Sequence, residues 1–143
     1  TGVLRQHQPL FDATGGVHGA AAVDRHGGVV VAREDIGRHN AVDKVVGRLL
    51  LDRALPATDL ALVVSGRGSF EMVQKAWAGG FTALVAVSAP SALAVATARR
   101  AGLTLVGFAR AGSANLYSPE HMLAETSAST TSEFDTQARQ AQH

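Results

Sequence analysis

Three stretches of this 143-residue chain gather side chains that could hold a ligand or act on one. Ser65-Gly66-Arg67-Gly68-Ser69 places small residues and one guanidinium where an apolar run gives way to a helical pattern. At such a junction, unpaired backbone N–H groups, the positive end of the helix dipole and an arginine together favour a phosphate or another anion. Ser88-Ala89-Pro90-Ser91 is a second turn of this kind, and Arg110 follows a third apolar run within Phe108-Ala109-Arg110-Ala111-Gly112-Ser113. One ligand bearing phosphate could touch all three. The densest polar segment spans residues 33–44, where seven of twelve side chains (Arg33, Glu34, Asp35, Arg38, His39, Asp43 and Lys44) can carry charge. Asp35, Arg38 and His39 open a helical pattern there and read as site residues. The plainer alternative makes Asp35 or Asn40 a helix cap and leaves Asp43 and Lys44 solvated.

Named motifs fit less well. Gly66-Arg67-Gly68 starts like a dinucleotide fingerprint, but Glu71 stands where the third glycine belongs. Ser65 lies at a strand-to-helix turn, yet Val63 replaces the first glycine of a nucleophile elbow, so a turn or capping role suits it better than hydrolysis. His18 and His39 are the only histidines within the patterned region. Two histidines without cysteine make a poor zinc site, so no metal is expected and each reads as a hydrogen-bonded core or pocket histidine. Trp77 reads as core packing.

The elements that must position these groups follow from the apolar pattern. Leu60 to Val64, Ala83 to Val87 and Leu103 to Phe108 are strand-length runs. Helical patterns over Ser69 to Ala78 and Ser91 to Ala101 separate them, the first closed by Gly79-Gly80, the second opened by Pro90 and closed by Gly102. This alternation predicts βαβ units with a parallel sheet, whose ligands sit beyond the carboxyl ends of the strands. Upstream, Val17 to Val23 and Val29 to Arg33 flank a hairpin turn, and Ala41, Val42, Val45, Val46, Leu49 and Leu50 recur at helical spacing. The predicted order is β-β-α-β-α-β-α-β, an α/β protein of three-layer α/β/α type with a mixed, mostly parallel sheet. Residues 1–122 read as one domain and 123–143 as a disordered, Ser/Thr/Gln-rich tail.

Composition narrows the chemistry. Thirteen Lys+Arg against twelve Asp+Glu leave a net charge of +1, with basic residues scattered rather than striped, which gives nucleic-acid binding no support. No apolar run approaches the roughly 20 residues that a membrane span needs. The chain has no cysteine, which excludes a disulfide, a thiolate metal site and a cysteine nucleophile within it.

FDATGGVHGA (11–20), REDIGRHNAVDKVVG (33–47), SGRGSFEMVQKA (65–76), AVSAPSALA (86–94), GLTLVGFARAG (102–112) and NLYSPEHM (115–122) together resemble the formate dehydrogenase accessory sulfurtransferases, the FdhD family. The resemblance implies a cytidine-deaminase-like fold. His39 would fall near the deaminases' zinc-binding helix start and Ser65-Gly66-Arg67 near their cysteine-bearing turn. It also implies a cytoplasmic homodimer that takes sulfur from a cysteine desulfurase. As a cysteine persulfide, that sulfur would pass to the molybdenum bis-molybdopterin guanine dinucleotide cofactor of formate dehydrogenase. The guanine-nucleotide portion, or a GDP-like nucleotide, would contact Phe108, Ala109, Arg110, Ala111, Gly112 and Ser113. Ser65, Gly66, Arg67, Gly68, Ser88 and Ala89 join that set by fold geometry. The persulfide cysteine belongs to a C-x-x-C loop expected upstream of Thr1, making this chain the carboxyl-terminal, cofactor-binding part of a longer protein that does not turn over alone. The alternative is a nucleotide-binding chaperone module without catalysis.

Overall fold

Short runs of branched aliphatic residues, bounded by glycine, serine and proline, become strands, and the amphipathic stretches between them become helices. The computed structural model describes residues 2–119. In chain order the elements are α1 (Gly2–Arg5), α2 (Pro9–Thr14), β1 (His18–Asp24), β2 (Val29–Asp35), α3 (Arg38–Leu51) and β3 (Leu60–Val64). There follow α4 (Phe70–Ala78), β4 (Ala83–Ala86), α5 (Ala92–Ala101), β5 (Thr104–Arg110) and β6 (Ser113–Ser118). The tail expected over 123–143 lies outside the described residues.

The six strands form one sheet in the order β2-β1-β3-β4-β5-β6. It is mixed, as expected, but mostly parallel only in strand direction. β2, β3, β4 and β5 run one way, yet three of the five ladders are antiparallel, because β1 reverses against both β2 and β3 and β6 reverses against β5. Connection length is the reason. Arg25 to Gly28 and Ala111-Gly112 are too short to carry a crossover, so each can only fold the chain back on itself. At the first of these turns the Asp24 carboxylate accepts the N–H groups of His26 and Gly28, both at 2.8 Å, which holds the Asp24 carboxyl below its ordinary value.

Alternation along the strands divides the core in two. Ala20, Ala22, Leu62, Val64, Leu84 and Leu105 face one side and meet α3, α4 and α5, which touch one another in a single layer. Leu49, Leu62, Met72, Leu84 and Leu105 are fully buried there. Ala41, Ala76, Ala94 and Ala98, all at 0% exposure, bring the helix backbones close to the sheet. Ala21 and Val63 face the other side, where Leu4 of α1 covers them. Among the described residues, the second helical layer is therefore the short α1–α2 pair.

The helix boundaries refine the sequence reading. Ser69 and Ser91 are caps rather than first helical residues, and the Ser91 hydroxyl accepts the Ala94 N–H at 3.1 Å. Pro90 lies before that cap, bridged to Gly68, not in the first turn. Gly102 takes the left-handed conformation that ends α5 (φ 69°). After α4 the left-handed residue is Gly80 (φ 76°) while Gly79 stays right-handed, and a Cβ on Gly80 would lie 2.5 Å from Pro56 Cβ. Trp77 is not core: it is 63% exposed. Met72, Val73 and Ala76 form the buried face of α4, and one residue further turns the helix by about 100°, which takes Trp77 off it.

Candidate functional site

The three turns singled out by their side chains are stacked at the carboxyl edge of β3, β4 and β5. The Ser88 N–H donates to Gly66 O (3.3 Å), the Ser91 N–H to Gly68 O (3.1 Å), and the Phe108 N–H to Ser88 O (3.2 Å). This stacking requires glycine at 107, where a Cβ would lie 2.7 Å from Pro90 Cδ and 2.9 Å from Tyr117 Cε2. Just beyond, Phe108 adopts a left-handed conformation (φ 50°), rare for an aromatic residue, and the β5–β6 register shifts between Gly107 and Arg110. A break of this kind re-aims the residues that follow it.

Ala109, Arg110 and Ala111 line a cavity of about 640 Å³ on the α1–α2 side of the sheet, within the size range of small-molecule sites. Ser65 joins them from the expected set, and Gln8, His18 and Val87 complete much of the wall. Arg110 has no ion-pair or hydrogen-bond partner among the described residues, so its guanidinium keeps its full capacity for an anion. Ser65 ties the start of β1 to the end of β3: its hydroxyl accepts the Gly19 N–H (2.9 Å), and its own N–H donates to Gly19 O (3.0 Å). The Ser65 hydroxyl proton is left available for donation.

Other expected residues sit at the same edge without lining the cavity: Gly66, Arg67, Gly68, Ser88, Ala89, Phe108, Gly112 and Ser113. Asp35, Arg38 and His39 lie at the start of α3. Gly66 stands between the two groups, since a Cβ there would be 3.6 Å from His18 Nδ1 and 3.8 Å from Arg38 Cδ.

The charged segment over 33–44 is mostly occupied in holding the fold. The Glu34 carboxylate accepts the N–H groups of Leu10 (2.9 Å) and Phe11 (3.0 Å), which anchors the start of α2. Asp35 pairs with Lys44 (2.6 Å) and accepts from the Gly37 N–H (2.9 Å) and the Asn40 amide (3.3 Å). The Lys44 ammonium, then the Gly37 amide, hold the Asp35 carboxyl down at about 2. Neither Asp35 nor Asn40 caps α3, whose cap residue is Gly37. Nearby, its own backbone N–H holds the Glu71 carboxyl below its ordinary value, with His39 and Arg38 adding attraction.

The two histidines depart from expectation in one respect: neither imidazole is hydrogen-bonded among the described residues. His18 borders the cavity, and His39 Nε2 is buried with no partner. Gln8 was invisible to sequence reasoning. It lies in a short polar opening segment without periodicity, and only the tertiary fold brings α1 and α2 over the sheet to close the cavity.

The family model described as "FdhD/NarQ family" matches residues 2–124. The chain is 55% identical to "Sulfur carrier protein FdhD" of Nocardia farcinica over 127 residues, covering 89% of this chain and 46% of that one. It is 46% identical to the protein of the same name from Sulfurisphaera tokodaii over 114 residues, 80% of this chain and 45% of that one. The chain thus spans less than half the length of these curated relatives. A crystal structure of a formate dehydrogenase accessory protein from Desulfotalea psychrophila superposes with a TM-score of 0.75 at 36% identity, over 82% of this chain and 52% of that one.

Proposed function

The chain belongs to the FdhD/NarQ family, and on that premise we propose that it is the cofactor-binding part of a sulfur carrier serving formate dehydrogenase. Its cargo is molybdenum bis-molybdopterin guanine dinucleotide, and the guanine-nucleotide portion enters the cavity at the carboxyl edge of the sheet. The single observation that carries this reading is the cavity itself. It brings the end of the last parallel strand, with Arg110 unpaired among the described residues, against Ser65 and His18 in a space of nucleotide size. A guanidinium at a cavity wall suits the diphosphate, for which it offers two parallel N–H donors.

Sulfur transfer needs a thiolate, and this chain has none. The persulfide is borne by a cysteine outside these residues, loaded by a cysteine desulfurase, while this part holds the acceptor cofactor in place. The same reading makes the working form a homodimer in the cytoplasm, and no helix of the described residues is long and apolar enough to cross a membrane. A second reading, a nucleotide-binding chaperone without catalysis, shares the same cavity.

Titration of GDP into the chain tests the binding common to both. Saturable binding that weakens at least ten-fold in Arg110→Ala is expected, by analogy with the loss of a charge-assisted hydrogen bond. Absence of binding would remove the nucleotide from the account. A persulfide-trapping assay on the full-length protein separates the two readings: trapped sulfur on an additional cysteine supports the carrier, and none supports the chaperone.

A further inference from the structure

The α1–α2 wall of the cavity contains a polar group that the fold does not use. Gln8 is only 4% exposed, yet its side-chain amide makes no hydrogen bond within the described residues. Its backbone is fully engaged: the N–H donates to Arg5 O (3.3 Å) and the carbonyl accepts the Asp12 N–H (3.1 Å). The side chain lies over Gly19, where an added Cβ would meet Gln8 Nε2 at 2.7 Å. A glycine inside a strand weakens it, so keeping room for this side chain carries a local penalty. That makes sense if the amide, which opens onto the cavity it lines, is kept ready for something that enters it.

The other polar groups of the wall do not offer the same chemistry. Arg5 is paired with Asp12 at 2.6 Å, and the Ser65 hydroxyl already accepts the Gly19 N–H. Arg110 offers only donors. Gln8 alone presents a donor and an acceptor side by side in one plane. That pair matches a ring edge carrying a carbonyl next to an N–H, as in the lactam of guanine or of a pterin.

We propose that Gln8 is a specificity-determining residue, whose amide pairs edge-on with the heterocycle of the ligand while Arg110 holds its phosphates. This rests on the reading of the cavity as a guanine-nucleotide site. It divides the ligand between two walls: a charged end met by a guanidinium, and a neutral ring met by a buried amide.

The test compares GDP with inorganic pyrophosphate, which has the charge but no ring, by calorimetric titration into the wild-type chain, Gln8→Met and Arg110→Ala. Gln8→Met keeps the length of the side chain and removes the amide. It is expected to weaken GDP on the order of ten-fold and to leave pyrophosphate within about two-fold, whereas Arg110→Ala weakens both. Unchanged GDP affinity in Gln8→Met, or equal loss for both ligands, overturns the assignment of Gln8 while leaving the cavity reading intact. A wild-type chain that binds neither ligand overturns the cavity reading and this inference with it. If Gln8→Met does not fold by circular dichroism, Gly19→Ala replaces it, because the new Cβ displaces the amide without altering Gln8. Selective loss of GDP is again the expected result, and retained affinity the contrary one.

Discussion

Two segments meet the carboxyl edge of the same sheet and use their charges in opposite ways. Residues 33–44 are crowded with ionisable groups, but Glu34 holds the first turn of α2 and Asp35 holds Gly37, Asn40 and Lys44. Residues 108–113 carry one charge, Arg110, which faces the cavity without a partner among the described residues. The difference teaches that a density of charge does not by itself mark a binding site. A polar group whose hydrogen-bonding capacity the fold leaves unfilled is the stronger sign, and Arg110, Gln8 and, within 33–44, His39 have that property among the described residues.

The contrast can be broken or sharpened by mutation. Arg110→Ala is expected to have the largest effect on ligand and almost none on stability, because its side chain is exposed and, among the described residues, unpaired: nucleotide affinity falls at least about ten-fold while the melting temperature stays within a degree or two. A large loss of stability in Arg110→Ala would mean that this arginine, too, belongs to the scaffold. Glu34→Ala should do the reverse. It removes the acceptor of two backbone N–H groups at the start of α2, so urea denaturation should show a loss of about 1–2 kcal/mol, as for other lost helix caps. Binding then weakens only indirectly, as the α1–α2 wall loosens.

Asp35 predicts a smaller effect, visible in acid. Its carboxyl sits at about 2 against an ordinary 3.8, so the fold favours the ionised form. That contribution is complete above the ordinary value and is lost as pH falls from about 3.8 towards 2. Asp35→Asn should therefore be less stable than wild type at neutral pH, and the gap should close across that window in thermal melts. A gap that persists unchanged below it would contradict the assignment. The smallest effect belongs to Asp43, whose pairing with Lys75 is solvent-exposed. Asp43→Ala should leave both stability and binding unaltered within error, the usual result for a surface pair.

Much of the frame was legible because it depends on local pattern. Apolar runs ending in Ser65-Gly66, Ser88-Ala89 and Phe108-Ala109 announced three strands and the edge at which their turns gather. β6 was not legible, since Ser-Ala-Asn-Leu-Tyr-Ser has no β-branched residue and five of its six side chains keep some exposure; pairing with β5 makes it a strand. The α1–α2 layer escaped for a related reason, being two helices of four and six residues too short to show periodicity. The cavity wall was half legible. Arg110 and Ser65 could be chosen from residue type and position, whereas the burial of Gln8 over Gly19 arises only when segments distant in sequence meet. For the polar residues of 33–44, a sequence shows which groups can carry charge and not which of them, like Glu34 and Asp35, already have partners.

Calorimetric titration of GDP into the wild-type chain, Arg110→Ala and Asp35→Asn at neutral pH tests the central contrast most directly. The account predicts saturable binding to wild type, at least about ten-fold weaker binding to Arg110→Ala, and affinity close to wild type in Asp35→Asn. Equal losses in both variants, or no binding to the wild-type chain, would contradict it.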